Sequence, residues 1–297
     1  MRSVYREEPC RVALNRVRGM EFNWSLNPYM GCAHRCTFCY VRAFEERADR
    51  PGDARYGDIV RVKTNVVEVL RQELARPSWQ RESVAVGAAT DPYQPAEGRY
   101  RLTRGCIAAF AEHRTPFDLI TRGTMILRDL DVLVEAARRA RIAIHFSVPT
   151  LDPEVWRRTE PGTAHPRQRL RVLTRLVEAG IAAGVAMAPI LPGISDRPDQ
   201  LAAVVRAARD AGAAHLWSGW LHMKGATRAY FLEHLAREWP AELERYQRLY
   251  GSHAYLGAAE GRALREQIAA LKRRYPLRGR AGLIAPPAEP VQLMLSI

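Results

Sequence analysis

Lysine is scarce in this chain. Lys63, Lys224 and Lys272 are the only lysines among 45 basic residues, set against 32 acidic ones, so arginine carries nearly all of a net charge of +13. Such an excess suits a polyanionic partner such as DNA or RNA. The arginines are scattered, however, and lysine-poor usage is also a compositional habit of whole genomes, so charge alone leaves the partner open. Long apolar runs are missing too. Nowhere do about 18 apolar residues follow one another, which argues against a membrane span. The first residues, Met1-Arg-Ser-Val-Tyr-Arg-Glu-Glu-Pro9, hold no apolar stretch of the signal-peptide kind. Cysteine is sparse and odd in number, five in 297 residues, which argues against a disulfide framework. The expectation is a cytoplasmic protein with reduced thiols.

What is present is a β/α rhythm. Phe22 to Tyr29 reads as a first strand, followed by Ser83–Thr90, Phe117–Thr121, Ile142–Val148, Ala183–Ile190 and Ala214–Leu221. Between them lie helical stretches: Leu102 to His113, then stripes at Leu127, Leu130, Val134 and Ala137, at Leu170, Leu173, Leu176 and Val177, and at Leu201, Val204, Val205 and Ala208. About six such repeats imply a parallel sheet with helices outside, curling into a full or partial barrel. Functional groups then belong on the loops after the strand C-termini. Residues 225–275 read as helical and charged, broken at Trp239-Pro240, and a Pro/Gly/Ala-rich connector, Pro276 to Pro290, leads to an apolar last segment, Val291–Ile297, expected to dock as a strand. The chain divides into an N-terminal extension (1–21), a barrel core (22–224) and a helical C-terminal extension (225–297).

Three of the five cysteines fall within eight residues, in Asn27-Pro-Tyr-Met-Gly-Cys-Ala-His-Arg-Cys-Thr-Phe-Cys-Tyr40. Cys32, Cys36 and Cys39 supply three thiolates and no fourth, enough to hold three irons of a cubane cluster and leave one iron open to a ligand. A zinc site is the alternative, but zinc loops usually pair two short units to complete a tetrahedron. Cys10 and Cys106 are isolated, and His34, inside the loop, would be a strained fourth ligand.

The spacing Cys-x3-Cys-x-aromatic-Cys, with Phe38 as the aromatic, resembles the signature of the radical SAM superfamily. The resemblance implies a partial (β/α)6 TIM-like barrel in which Cys32, Cys36 and Cys39 ligate a [4Fe-4S] cluster. S-adenosylmethionine (SAM) chelates the open iron, and a one-electron donor such as flavodoxin or ferredoxin drives its cleavage to a 5′-deoxyadenosyl radical. Asn27-Pro-Tyr-Met-Gly-Cys32 with Cys36-Thr-Phe-Cys-Tyr-Val41 is similar to the spore photoproduct lyase-like (SplB-like) branch. Thr90-Asp-Pro-Tyr-Gln-Pro-Ala-Glu97 resembles the Rv2578c-type members of that branch. By this resemblance Phe38 lies near the adenine, Thr90 and Asp91 meet the SAM amino group, and Arg122, with Arg169 as a weaker second, meets the SAM carboxylate. Ser147 reaches the ribose or the methionine moiety, Pro189 and Ile190 pack on adenine, and Tyr40 is the catalytic candidate.

The departures from the lyase matter as much. The lyase returns a hydrogen atom from a cysteine near the end of the second strand, and has tyrosines on both sides of the third cluster cysteine. Here the strand end is Gly87-Ala-Ala-Thr90, without a thiol, and Phe38 stands before Cys39 while Tyr40 follows it. Strict lyase activity is therefore doubtful, and the expected reaction is hydrogen-atom abstraction from another substrate. A nucleic-acid base is the leading expectation, with Tyr93, Tyr100, Trp217 and Trp220 as stacking candidates and His222 and Lys224 beside them. Aromatics within an apolar strand are more often core, Trp217 and Trp220 included. A peptide or small metabolite is the second reading, and a zinc-dependent nucleic-acid-binding module the third.

Overall fold

The computed structural model describes residues 3–20, 22–277, 279 and 282–285. Its strands in chain order are β1 (Val4–Glu8), β2 (Leu14–Arg16), β3 (Trp24–Leu26), β4 (Tyr29–Met30), β5 (Ile59–Lys63), β6 (Val84–Val86), β7 (Phe117–Thr121), β8 (Ile142–Ser147), β9 (Ala183–Ile190) and β10 (Leu216–Trp220). A seven-stranded sheet runs in the order β10-β9-β8-β7-β6-β3-β2. Its six members from β3 to β10 are parallel, and β2 closes the edge antiparallel to β3. This is the partial parallel barrel that the β/α rhythm requires. A second sheet, β1-β5-β4, flanks it.

The first 21 residues thus give a strand to each sheet. The expected first strand, Phe22 to Tyr29, is two short ones. Pro28 has no N–H to donate to a ladder, and the chain leaves the barrel sheet at Asn27 to pair as β4 with β5. The second expected strand ends early, at Val86, because Gly87 turns the backbone to φ +88°; a Cβ there would stand 2.6 Å from the Ile120 carbonyl. β5 and the helix Val66–Leu74 were not read from the sequence.

The helices cover the outer face. Leu170, Leu173, Leu176 and Val177 of Pro166–Glu178 are buried, as are Leu201, Val204, Val205 and Ala208 of Pro198–Asp210. In Leu130–Arg139 the buried face is Leu133, Ala136 and Ala137, while Leu127, on a 3-10 turn at Thr124–Asp129, and Leu130 and Val134 pack against the core part-buried. Residues 225–275 form the helices Ala226–Glu238, Leu243–Tyr250 and Ala258–Arg274, with Trp239 at the break. The docking strand expected at Val291–Ile297 lies outside the described residues, as does most of the preceding connector. Among the described residues no helix is long and apolar enough to cross a membrane.

Candidate active site

The loop Gly31–Val41 follows β4 and carries the three cysteines to the C-terminal mouth of the barrel, where they line one cavity of about 220 Å³. Cys32 and Cys36 are 7% and 6% exposed and Cys39 is half-buried. Burial pushes the Cys36 thiol up to about 12 and Cys32 well above the usual thiol range, with Asp91 adding to the latter. These thiols therefore ionise only when a cation arrives, which is what ligation to iron supplies. Among the described residues no three His, Cys, Asp or Glu side chains are gathered as a single metal ion requires. Three thiols in one cavity without that convergence fit a cluster, whose ligands each take a different iron, better than a zinc ion.

Hydrogen bonds lock this loop to the strand ends. The Thr90 hydroxyl donates to the Gly31 carbonyl at 2.8 Å. Gln94, fully buried, donates to Gly31 and Thr90 and accepts the Ala33 amide. Asn27 accepts the Ala89 amide at 2.8 Å. Asp91 lines the cavity but is already engaged: it accepts the Thr121 hydroxyl and the Arg122 amide, each at 2.7 Å, and the Tyr93 amide at 2.9 Å. His34 Nδ1 lies 3.2 Å from its other face. Burial alone would raise this carboxyl; His34 and the hydrogen bonds override it and hold Asp91 down at about 2. Thr90 and Asp91 therefore position the loop. The sequence assigned them to the SAM amino group, and for Asp91 the structure shows a carboxylate with its acceptor sites largely filled.

The two arginines separate cleanly. Arg169 is fully buried and saturated: its guanidinium donates to the carbonyls of Ala164 and Ser147, to both oxygens of Glu160 and to the Thr163 hydroxyl. It lies behind the cavity wall rather than on it, and it is not a solvated helix residue. Arg122 is on the wall. It pairs with Glu160 through Nε at 2.5 Å, not with Asp129, and its guanidinium lies 5.5 Å from the Phe38 ring centre. Among the described residues its Nη groups have no hydrogen-bond partner, and Arg122 lines the cavity. Glu160, fully buried between the two arginines, is held ionised: burial opposes this, and Arg169 and Arg122 outweigh it.

Of the other predicted residues, Ser147 and Phe38 line the cavity and Ile190 does not. Ile190 is fully buried in the core, while Ala188 and Pro189 face the cavity. Tyr40 lines it and donates its hydroxyl to the Ala88 carbonyl. The stretch Gly87-Ala-Ala-Thr90 brings no thiol to the cavity, and the two remaining cysteines are elsewhere: Cys106 inside the core and Cys10 bound through its amide to Asn65. Trp217, 43% exposed, Trp220 and His222 line the cavity, and Trp220 also packs against the core. Tyr93 is core, bonded to Asp129, and Tyr100 pairs with Glu7 away from the site. Sequence reasoning missed Gln94, Glu160 and Tyr56. Gln94 sits inside the quoted Thr90–Glu97 segment, so a signal existed there; nothing local marks the other two.

A mouth of strand ends with three thiols lining one cavity defines an enzyme that works through a sulfur-held metal cofactor. The chain belongs to the Radical SAM superfamily, which matches residues 26–205. It is therefore a radical SAM enzyme that uses SAM with an iron–sulfur cluster. It is 40% identical over 279 residues to the protein Rv2578c of Mycobacterium tuberculosis, covering 93% of this chain and 82% of that one. It is 26% identical over 175 residues, 58% of this chain and 34% of the other, to a radical SAM Nalpha-GlyT isomerase of Pseudomonas phage M6. Its fold is that of spore photoproduct lyase with bound AdoMet and dinucleoside spore photoproduct, with a TM-score of 0.69 at 12% identity over 91% of this chain and 79% of the other.

Proposed function

We propose that Cys32, Cys36 and Cys39 hold a [4Fe-4S] cluster and that the enzyme abstracts a hydrogen atom from a nucleic-acid base. The observation that carries the first part is the placement of three thiols, two of them buried, and of Arg122 on the walls of one cavity. When bound, the cluster with SAM supplies reductive cleavage of the sulfonium. The chain's own residues bind and orient. Arg122 presents a charged fork to the SAM carboxylate, the Ser147 hydroxyl stands at the end of β8, and Phe38 gives an apolar floor for the adenine. The electron comes from a donor such as flavodoxin or ferredoxin.

The base reading is supported by the rim. Tyr40 and Phe44 pack edge to face at 5.6 Å, Arg47 lies 5.4 Å from the Phe44 ring, and His222 lies tilted against Tyr255 at 4.5 Å. With Trp217 these make an exposed aromatic and cationic border, the surface that takes unpaired bases by stacking. The resemblance in fold to a lyase bound to a dinucleoside lesion accords with it. The test is binding of single-stranded oligonucleotides at rising salt, paired with 5′-deoxyadenosine release. We expect affinity to fall log-linearly with salt, with slope about −0.7 per phosphate contacted, and oligonucleotide to raise 5′-deoxyadenosine above background. Salt-independent binding with no stimulation would turn the reading towards a peptide or small metabolite.

A further inference from the structure

We propose that Arg42, held between Tyr56 and Tyr230, sets the reduction potential of the cluster and clamps the loop that carries it. The inference rests on the cluster reading above. Arg42 is 1% exposed. Every group its guanidinium touches is neutral. Nε and Nη2 donate to the Cys36 carbonyl at 3.4 and 3.3 Å, Nη2 also to the Arg35 carbonyl at 3.4 Å, and Nη1 to the carbonyls of Gly52 and Asp53 at 3.1 and 2.5 Å. Cζ lies 4.7 Å from the Tyr56 ring centre and 3.7 Å from that of Tyr230. Among the described residues no carboxylate pairs with it. A buried cation without an acid partner is costly, and carbonyls and ring faces offset part of that cost.

Its charge acts through space on the Asp53 carboxyl, and its hydrogen bonds lead into the cysteine loop. Arg42 grips the carbonyls of Arg35 and Cys36, inside the cysteine loop. Three thiolates outweigh the charge of an oxidised [4Fe-4S] core, and the one electron taken from a low-potential donor makes the site more negative still, with no proton transferred. A fixed positive charge held behind the cysteine loop favours the reduced form. Tyr56 adds to this, since its hydroxyl lies 3.6 Å from Cys39 Sγ and can donate to the thiolate. The clamp closes from the C-terminal side. Helix Ala226–Glu238 supplies Tyr230, its Thr227 hydroxyl donates to the Cys39 carbonyl at 3.0 Å, and its first amide, Ala226, is held by Glu46 at 2.8 Å. Arg42, Tyr56 and Tyr230 are thus positioning residues, and a helix outside the matched region, residues 26–205, completes the site.

The test reconstitutes the full chain anaerobically with iron and sulfide and titrates it with dithionite, reading the reduced-cluster electron paramagnetic resonance signal. At equal iron content, Arg42→Met and Tyr56→Phe are expected to shift the midpoint potential to more negative values, and Arg42→Lys less than Arg42→Met. Tyr230→Leu is expected to lower iron occupancy. Tyr56→Phe removes a single hydroxyl, so it carries the test if Arg42→Met does not fold. Unchanged potentials in Tyr56→Phe and in any folded Arg42→Met overturn the inference. An unaltered protein that takes up no iron and sulfide overturns the cluster reading instead, and this inference with it.

Discussion

At the scale of single residues the site divides into groups that face the cavity and groups that hold them there. Arg122 and Arg169 share one carboxylate, Glu160, yet only Arg122 reaches the cavity. Replacing Arg122 with Ala leaves Glu160 still paired, so the fold is expected to survive while SAM affinity falls roughly ten- to a hundred-fold, the worth of a charge-assisted contact. Replacing Arg169 with Ala strands buried acceptors and is expected to cost about 3–5 kcal/mol of stability. Calorimetry with SAM and thermal unfolding separate the two; equal loss of SAM affinity in a folded Arg169→Ala would contradict the assignment. The meeting of Cys32, Cys36 and Cys39 at one cavity was legible in the sequence because all three lie on one short loop. The division between the two arginines was not, because it depends on Glu160, 38 residues from one arginine and 9 from the other. Asp91 shows the same limit: its motif pointed to a ligand contact, but its neighbours in space already fill it.

At the scale of elements, the central strands were legible because parallel strands buried on both faces are short apolar runs between turn signals. β9 falls on the expected Ala183–Ile190. The flanking sheet was not, since β1, β4 and β5 alternate weakly and pair far along the chain, Val4 with Ile59 and Tyr29 with Val62. Within β9, Gly184 is needed for packing: a Cβ there would run into the His215 backbone and ring. Gly184→Ala is expected to cost about 1–3 kcal/mol by overpacking, measured by chemical unfolding; no change would mean that His215 moves freely. His215 also makes the fold sensitive to acid. Its ring lies 2.9 Å from the His145 ring, and burial, with His145 beside it, pushes it down to about 4 from an ordinary 6.5. A histidine whose folded pKa is depressed takes up its proton first in the unfolded chain. Its contribution is present above about pH 6.5 and lost as pH falls towards 4. His215→Gln is expected to flatten the pH dependence of the melting temperature across that window, and an unaltered slope would exclude His215 as its source.

At the scale of the whole molecule, the open parallel barrel gathers loops from six strands into one mouth, and the C-terminal helices close over the cysteine loop. The barrel could be read from the β/α period alone. The role of residues 225–275 could not, because their helical pattern records only that one face is buried and not which loop it covers. The scattered arginines find their explanation here too, since many sit in ion pairs and carbonyl contacts rather than on one basic face. The central claim is that the three cysteines serve SAM cleavage. The most direct test is to incubate the anaerobically reconstituted protein with dithionite and SAM, and to measure 5′-deoxyadenosine alongside iron, sulfide and zinc content. The account predicts iron and sulfide with 5′-deoxyadenosine release in the unaltered protein, and neither in a soluble Cys36→Ala variant. Bound zinc without iron and sulfide, or undiminished release from Cys36→Ala, would contradict it.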